Sequence, residues 1–294
     1  MDYIEGLQSS FGDAFVTLPL LLIGVTFFFG TLTSNTGLLY LFIGQLLLVP
    51  AVQFILNEPG RVWKDSKDPS KSDLVRAIKW ISSLFVTLGI NSGLNWNEAF
   101  SSPGENWTSI LRGILTPFLL IAQLLILNTY PPPAVDSKSC SMIPRVDLDS
   151  SPVYSSPTSW TAHIVFFCSF VLSNALGIYN EPTPELKVTD DKEKEARQAK
   201  LDERVTNRKW ISGTIAALSI GILLVLLFFR FKYTPCESGF IRALPGILLL
   251  FITGASYFDI VYKYCGVRPA DVLGIVQGLI NPDLIDNPIV CVGQ

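Results

Sequence analysis

Charge is what this chain has least of. Only 16% of its 294 residues are Asp, Glu, Lys or Arg, where a water-soluble chain carries about 25%. Apolar residues make up 49%, and the mean hydropathy is +0.41. The few charges cluster in blocks between long apolar runs, which excludes the one or two soluble domains that the length alone would predict. The net charge of -3 leaves no basic face, so a nucleic-acid partner is not expected. Histidine is reduced to His163, and a histidine metal site needs companions at short spacing. There is no C-x-x-C, no glycine-rich phosphate loop and no recognisable Ser/His/Asp set. No catalytic, cofactor-binding or metal-binding residue is therefore nominated, and the chain is read as a non-enzyme.

What is present is hydrocarbon-matched sequence. A membrane span needs about 20 mostly apolar residues. Seven segments qualify or come close: 15–33, 38–56, 80–94, 110–128, 161–179, 210–229 and 240–260. The expected fold is an all-α integral membrane protein with six or seven transmembrane helices. The residues before the first segment, MDYIEGLQSSFGD, hold three acids and no Lys or Arg, so a cleavable signal peptide is not expected. Ser34-Asn35-Thr36-Gly37 predicts a tight turn that makes the first two segments a hairpin. Trp80, Trp107, Trp160 and Trp210 stand just before apolar runs and Trp96 just after one, which predicts five interfacial anchors at headgroup level. The polar residues within the segments are Gln45, Gln53, Asn91, Gln123, His163 and Asn174, with Asp259 at the end of the last. Amides in spans are commonly helix-to-helix contacts.

Two short words recur. Asn57-Glu58-Pro59 ends the second segment and Asn180-Glu181-Pro182 the fifth; Lys79-Trp80-Ile81-Ser82 and Lys209-Trp210-Ile211-Ser212 open the third and sixth. Trp80 to Arg112 and Trp210 to Arg242 are both 32 residues, and Pro117 and Pro245 break the segments that follow. This predicts a three-helix internal repeat, segments two to four and five to seven, preceded by one added helix. Three full crossings per unit would invert the second unit, as in many transporters. The positive charges disagree. Seven crossings put 11 of the 22 Lys+Arg on each side, whereas a third segment that dips in without crossing restores an ordinary bias.

The organisation predicted is a hairpin at 1–56, the rest of the first unit at 57–128, a Pro/Ser-rich loop at 129–160, a second unit at 161–260 and an interfacial tail at 261–294. Within the second unit, 189–209 reads as a long polar helix running without a breaker into the sixth span. It has Thr189 as a candidate N-cap and opposite charges at helical spacing, such as Glu193 and Arg197. Glu58 and Glu181 are the best-matched acids, read either as helix stops at the interface or as gating carboxylates. Cys168 should be a buried thiol. Cys140 and Cys236 fall on one side and Cys265 and Cys291 on the other under either crossing number. At most one pair is expected to be oxidised, and Cys265–Cys291 is the expected disulfide because the shorter loop meets itself more often.

The multi-span character, the Pro/Ser loop and a tail ending Val290-Cys291-Val292-Gly293-Gln294 resemble the internal-membrane proteins of large icosahedral DNA viruses. That resemblance implies a virion internal membrane and partners among capsid or minor capsid proteins. The function expected is a structural, scaffolding one, holding a larger assembly to the lipid bilayer through loops and tail. The alternative is a small transporter or channel built on the inverted repeat.

Overall fold

A computed structural model describes residues 2–57, 71–92, 107–129, 156–183, 191–233, 239–266 and 271–272. All regular structure among them is helical, in seven helices: α1 (Asp2–Leu32), α2 (Thr36–Asn57), α3 (Lys71–Asn91), α4 (Trp107–Thr129), α5 (Ser159–Asn180), α6 (Asp191–Tyr233) and α7 (Phe240–Cys265). Five contain stretches long and apolar enough to cross a membrane: Phe15–Leu32, Thr36–Leu56, Ser159–Asn180, Gln198–Lys232 and Phe240–Cys265. The apolar stretches of α3 and α4, Ile78–Asn91 and Ile110–Ile126, are shorter. This is the architecture of an integral membrane protein. Prolines 19, 50, 117 and 245 all lie inside helices, a placement that membrane helices tolerate because neighbours satisfy the freed backbone groups.

The expected hairpin is present. Ser34 adopts a left-handed conformation (φ 52°) in the turn, and the Asn35 side chain caps α2 by accepting from the Leu38 N–H at 3.1 Å. Its amide donates to the Val272 carbonyl at 3.1 Å, tying the turn to the far end of the chain. The polar block and the sixth span form one unbroken helix, α6, of 43 residues, about 65 Å at 1.5 Å per residue. Both repeated Lys-Trp-Ile-Ser words lie inside helices and do not open them, since α3 begins at Lys71 and α6 at Asp191. Thr189 and residues 273–280 of the tail lie outside the described residues.

Contacts give every helix a direction. Trp160 reaches Phe15, Gln53 reaches Pro157, Trp80 reaches Ile55 and Arg230 reaches Thr158 at one end. Arg112 meets Asp259, and Arg208 and Tyr262 meet Glu181, at the other. The seven helices therefore alternate up and down in chain order, α3 included. Consequently α2–α4 and α5–α7 run in opposite senses. Their packing is not alike, however. Helix α5 lies against both α6 and α7, whereas α4 packs chiefly on α7 and only secondarily on α3.

Burial ranks the helices. The apolar stretch of α5 is 72% buried, against 17% for α1 and 22% for α6. Helix α5 carries Thr161, His163, Ser169 and Asn174, polar side chains that hydrocarbon would leave unsatisfied, and all four are buried; three glycines let its neighbours close in. A Cβ at Gly254 of α7 would stand 2.9 Å from the Phe166 carbonyl, one at Gly44 of α2 would stand 2.7 Å from the Phe166 and Tyr257 rings, and one at Gly177 would stand 3.2 Å from Phe258. Ser169 then donates across the α5–α7 seam to the Phe251 carbonyl at 2.5 Å.

Candidate functional site

The densest gathering of polar side chains surrounds three residues, Ser156-Pro157-Thr158, where the Pro/Ser loop enters α5. All three are buried. From α2, Gln53 donates to the Pro157 carbonyl at 3.4 Å and accepts from the Ser159 hydroxyl at 3.0 Å. From α4, Gln123 donates to the Ser156 carbonyl at 2.8 Å and accepts from the Gly246 N–H of α7 at 3.2 Å. Thr158 caps α5, its hydroxyl accepting from the Thr161 N–H at 3.5 Å. That hydroxyl also accepts from Arg230 of α6 at 3.4 Å. The Arg230 guanidinium lies 5.1 Å from the centre of the Trp160 ring, a cation–π distance. Trp160 in turn donates to the Phe15 carbonyl of α1 at 2.7 Å and packs on the Phe15 ring at 4.6 Å. Six helices thus converge on one loop root. Glycine is required at 246 because a Cβ there would overlap the Pro157 ring.

The opposite end carries an ion pair and a second buried arginine. Arg112 of α4 and Asp259 of α7 form an ion pair. One turn further along α7, the Tyr262 hydroxyl donates to the Glu181 carboxylate at 2.6 Å, and buried Arg208 donates to the Glu181 carbonyl at 2.6 Å. Arg208 is a cation supplied to the C-terminal end of α5, where carbonyls lack partners. Tyr257 donates to the Tyr40 carbonyl at 3.1 Å, and the exposed Cys265 thiol donates to the Tyr40 hydroxyl at 3.2 Å. Cys265 and buried Cys168 are free thiols, and Cys291 lies outside the described residues.

The residues singled out from sequence fall into separate places. Glu58 is outside the described residues, and Glu181 joins α5 to α6 and α7 through Arg208 and Tyr262. Among the tryptophans, Trp210 is 76% exposed and outward-facing. Trp80 is half-buried and donates to the Ile55 carbonyl at 3.3 Å. Trp160 is at a bundle end but enclosed by protein, 1% exposed, and so offers no face to headgroups. Trp107 opens α4, and Trp96 is outside the described residues. Asn91 joins α3 to α4 through the Thr116 hydroxyl at 2.9 Å. His163 lies 2.7 Å from its own Ser159 carbonyl and faces the Gln45 backbone. The Gln45 amide is buried with neither atom hydrogen-bonded.

Sequence reasoning missed the arginines. Arg208 stands in the block expected to be a polar helix and Arg230 just past the sixth apolar run, and both are buried. The available signal was helical phase: Arg208, Ser212, Ala216, Ser219, Leu223, Leu227 and Arg230 are the buried stripe of α6, spaced by three and four. Arg112 was legible as a landmark of the repeat and not as a partner for Asp259. Among the described residues no three His, Cys, Asp or Glu side chains gather as a metal site would require. No family model, curated protein or solved structure matches this chain.

Proposed function

We propose that this chain is a multi-pass scaffold that acts by contact, without turnover, and fastens a protein assembly to a bilayer through its 129–160 loop. The observation that carries this reading is the convergence of Gln53, Gln123, Trp160 and Arg230 on Ser156–Thr158. Polar groups inside a membrane bundle commonly mark substrate paths; these are committed to gripping the root of an extramembrane loop. Such a grip serves a loop that bears load. The polar half of α6, extending from the opposite end, offers a second attachment. The resemblance in character to internal-membrane proteins of icosahedral viruses makes capsid or minor capsid proteins the partners to seek. The alternating helix directions support seven crossings, which would put the 129–160 loop and the 191–207 stalk on opposite faces.

The same alternation favours one competing reading, a carrier built on two inverted three-helix units, with Glu181 near its mouth. One preparation tests both. Native-membrane crosslinking from cysteines placed at Ser137 and Tyr154 should capture a discrete partner, and Gln53→Leu with Gln123→Leu should abolish the capture. Reconstituted into liposomes, the protein should give the solute flux of empty vesicles. Saturable flux that Glu181→Gln removes would replace the scaffold by the carrier.

A further inference from the structure

We propose that the crevice between α2, α3 and α4 is a seat for one acyl chain of a bilayer lipid. This rests on α3 and α4 lying in the bilayer with the five longer helices, and not on the scaffold reading. Ile55 of α2, Leu84 and Leu88 of α3, and Pro117, Leu120 and Leu124 of α4 enclose a half-open cavity of about 220 Å³. Protein interiors are normally close-packed, and an apolar cavity of about 150 Å³ stays dry and takes up a hydrocarbon ligand. The two polar side chains at its rim are already engaged, Trp80 with the Ile55 carbonyl and Gln123 with Ser156 and Gly246. Nothing polar remains for a hydrophilic ligand.

Continuity with the lipid-facing surface identifies the occupant. The flanking residues Ile81 and Phe85 of α3 and Phe118, Ile121 and Leu125 of α4 are all exposed apolar side chains on the apolar stretches Ile78–Asn91 and Ile110–Ile126, and Ile121 itself lines the crevice. A chain lying along that surface enters the crevice without crossing a polar layer. The seat exists because α4 leans on α7 and leaves α3 behind, with Asn91–Thr116 holding the far end of the pair together. Pro117 lines the crevice in place of a longer, more flexible side chain.

The full chain in phosphatidylcholine nanodiscs, doped with a phosphatidylcholine bearing a diazirine on its acyl chain, provides the test. After photolysis, peptides containing Leu84–Leu88 and Pro117–Leu124 should carry more label than the Leu218–Val225 stretch of α6, which exposes Leu218, Ile220, Ile222, Leu224 and Val225. Leu84→Phe and Leu124→Phe, each filling the crevice, should lower that labelling about tenfold, because each CH₂ excluded is worth about fourfold in occupancy. Leu224→Phe on α6 should leave it unchanged. Leu84→Ala widens the seat and should raise labelling, which keeps the test decisive if a filling variant misfolds. Labelling no greater than on α6, or indifferent to both filling variants and to Leu84→Ala, overturns the proposal. So does a protein–protein crosslink across the crevice that excludes the lipid label.

Discussion

The two three-helix groups of this bundle are built to different densities. Helices α5–α7 meet at Gly177 and Gly254, where backbones and rings come within contact distance, and most of α5 is buried. Helices α2–α4 are splayed, with an apolar crevice along their seam, and α3 is tied to α4 by the hydrogen bond from Asn91 to Thr116. The sequence words are nearly the same in both groups, so the difference comes from what lies between them. Small residues face each other across the α5–α7 seam, whereas leucines face the α3–α4 seam. In hydrocarbon there is no hydrophobic drive between helices, so closeness follows the small residues.

That contrast can be broken most severely at the junction of the groups. Trp160→Ala removes a fully buried ring, its bond to Phe15 and the platform under Arg230; a loss of about 3–5 kcal/mol is expected from cavity formation. Trp210→Ala, on the exposed face of α6, should stay within about 0.5 kcal/mol of wild type. Thermal unfolding in one detergent measures both, and equal effects would mean that Trp160 is an interfacial anchor after all.

A bulky residue inserted into each seam should have unequal consequences. Gly254→Leu must push α7 off the Phe166 carbonyl and should cost about 1–3 kcal/mol or more. Leu84→Phe, directed into the crevice, should be close to neutral. Comparable destabilisation by the two would show that the first group is as tightly packed as the second.

Two polar features yield smaller shifts. Gln45→Leu replaces a buried amide with no hydrogen-bond partner by an apolar side chain and should stabilise by about 1 kcal/mol. Destabilisation would reveal a partner for the amide, such as a buried water. Arg112 and Asp259 bridge the two groups, but their side chains are 23% and 47% exposed, so screening limits the pair. A double-mutant cycle with Arg112→Gln and Asp259→Asn should give a coupling below about 1 kcal/mol. A coupling several times larger would make the pair a principal lock between the groups.

Legibility from sequence varied with the kind of interaction. Helix positions were readable because hydrocarbon matching is a property of a contiguous run: α2, α4, α5 and α7 begin and end within a few residues of their apolar segments, except that α7 continues to Cys265. The third segment lay close to the apolar stretch Ile78–Asn91, but the start of its helix was not readable, because α3 begins inside a charged stretch at Lys71, where hydropathy gives no signal. The repeat words and the 32-residue spacings were legible as text. They foretold neither the lean of α4 onto α7 nor the separate fates of Trp80, half-buried against α2, and Trp210, exposed.

From composition and periodicity alone came the membrane, the helices, the hairpin at Asn35 and the continuous α6. Each follows from local rules acting within one stretch of chain, namely span length, turn chemistry and the absence of a helix breaker. Only the tertiary structure decided that Arg208 and Arg230 are buried, that Gln53 and Gln123 grip Ser156–Thr158, and that a crevice opens beside Pro117. These depend on which faces of distant helices meet. An amide at position 53 reads the same in sequence whether it faces lipid, a neighbouring helix or the root of a loop 104 residues away. The choice is made by the summed packing of six helices around that root, and no single segment contains it.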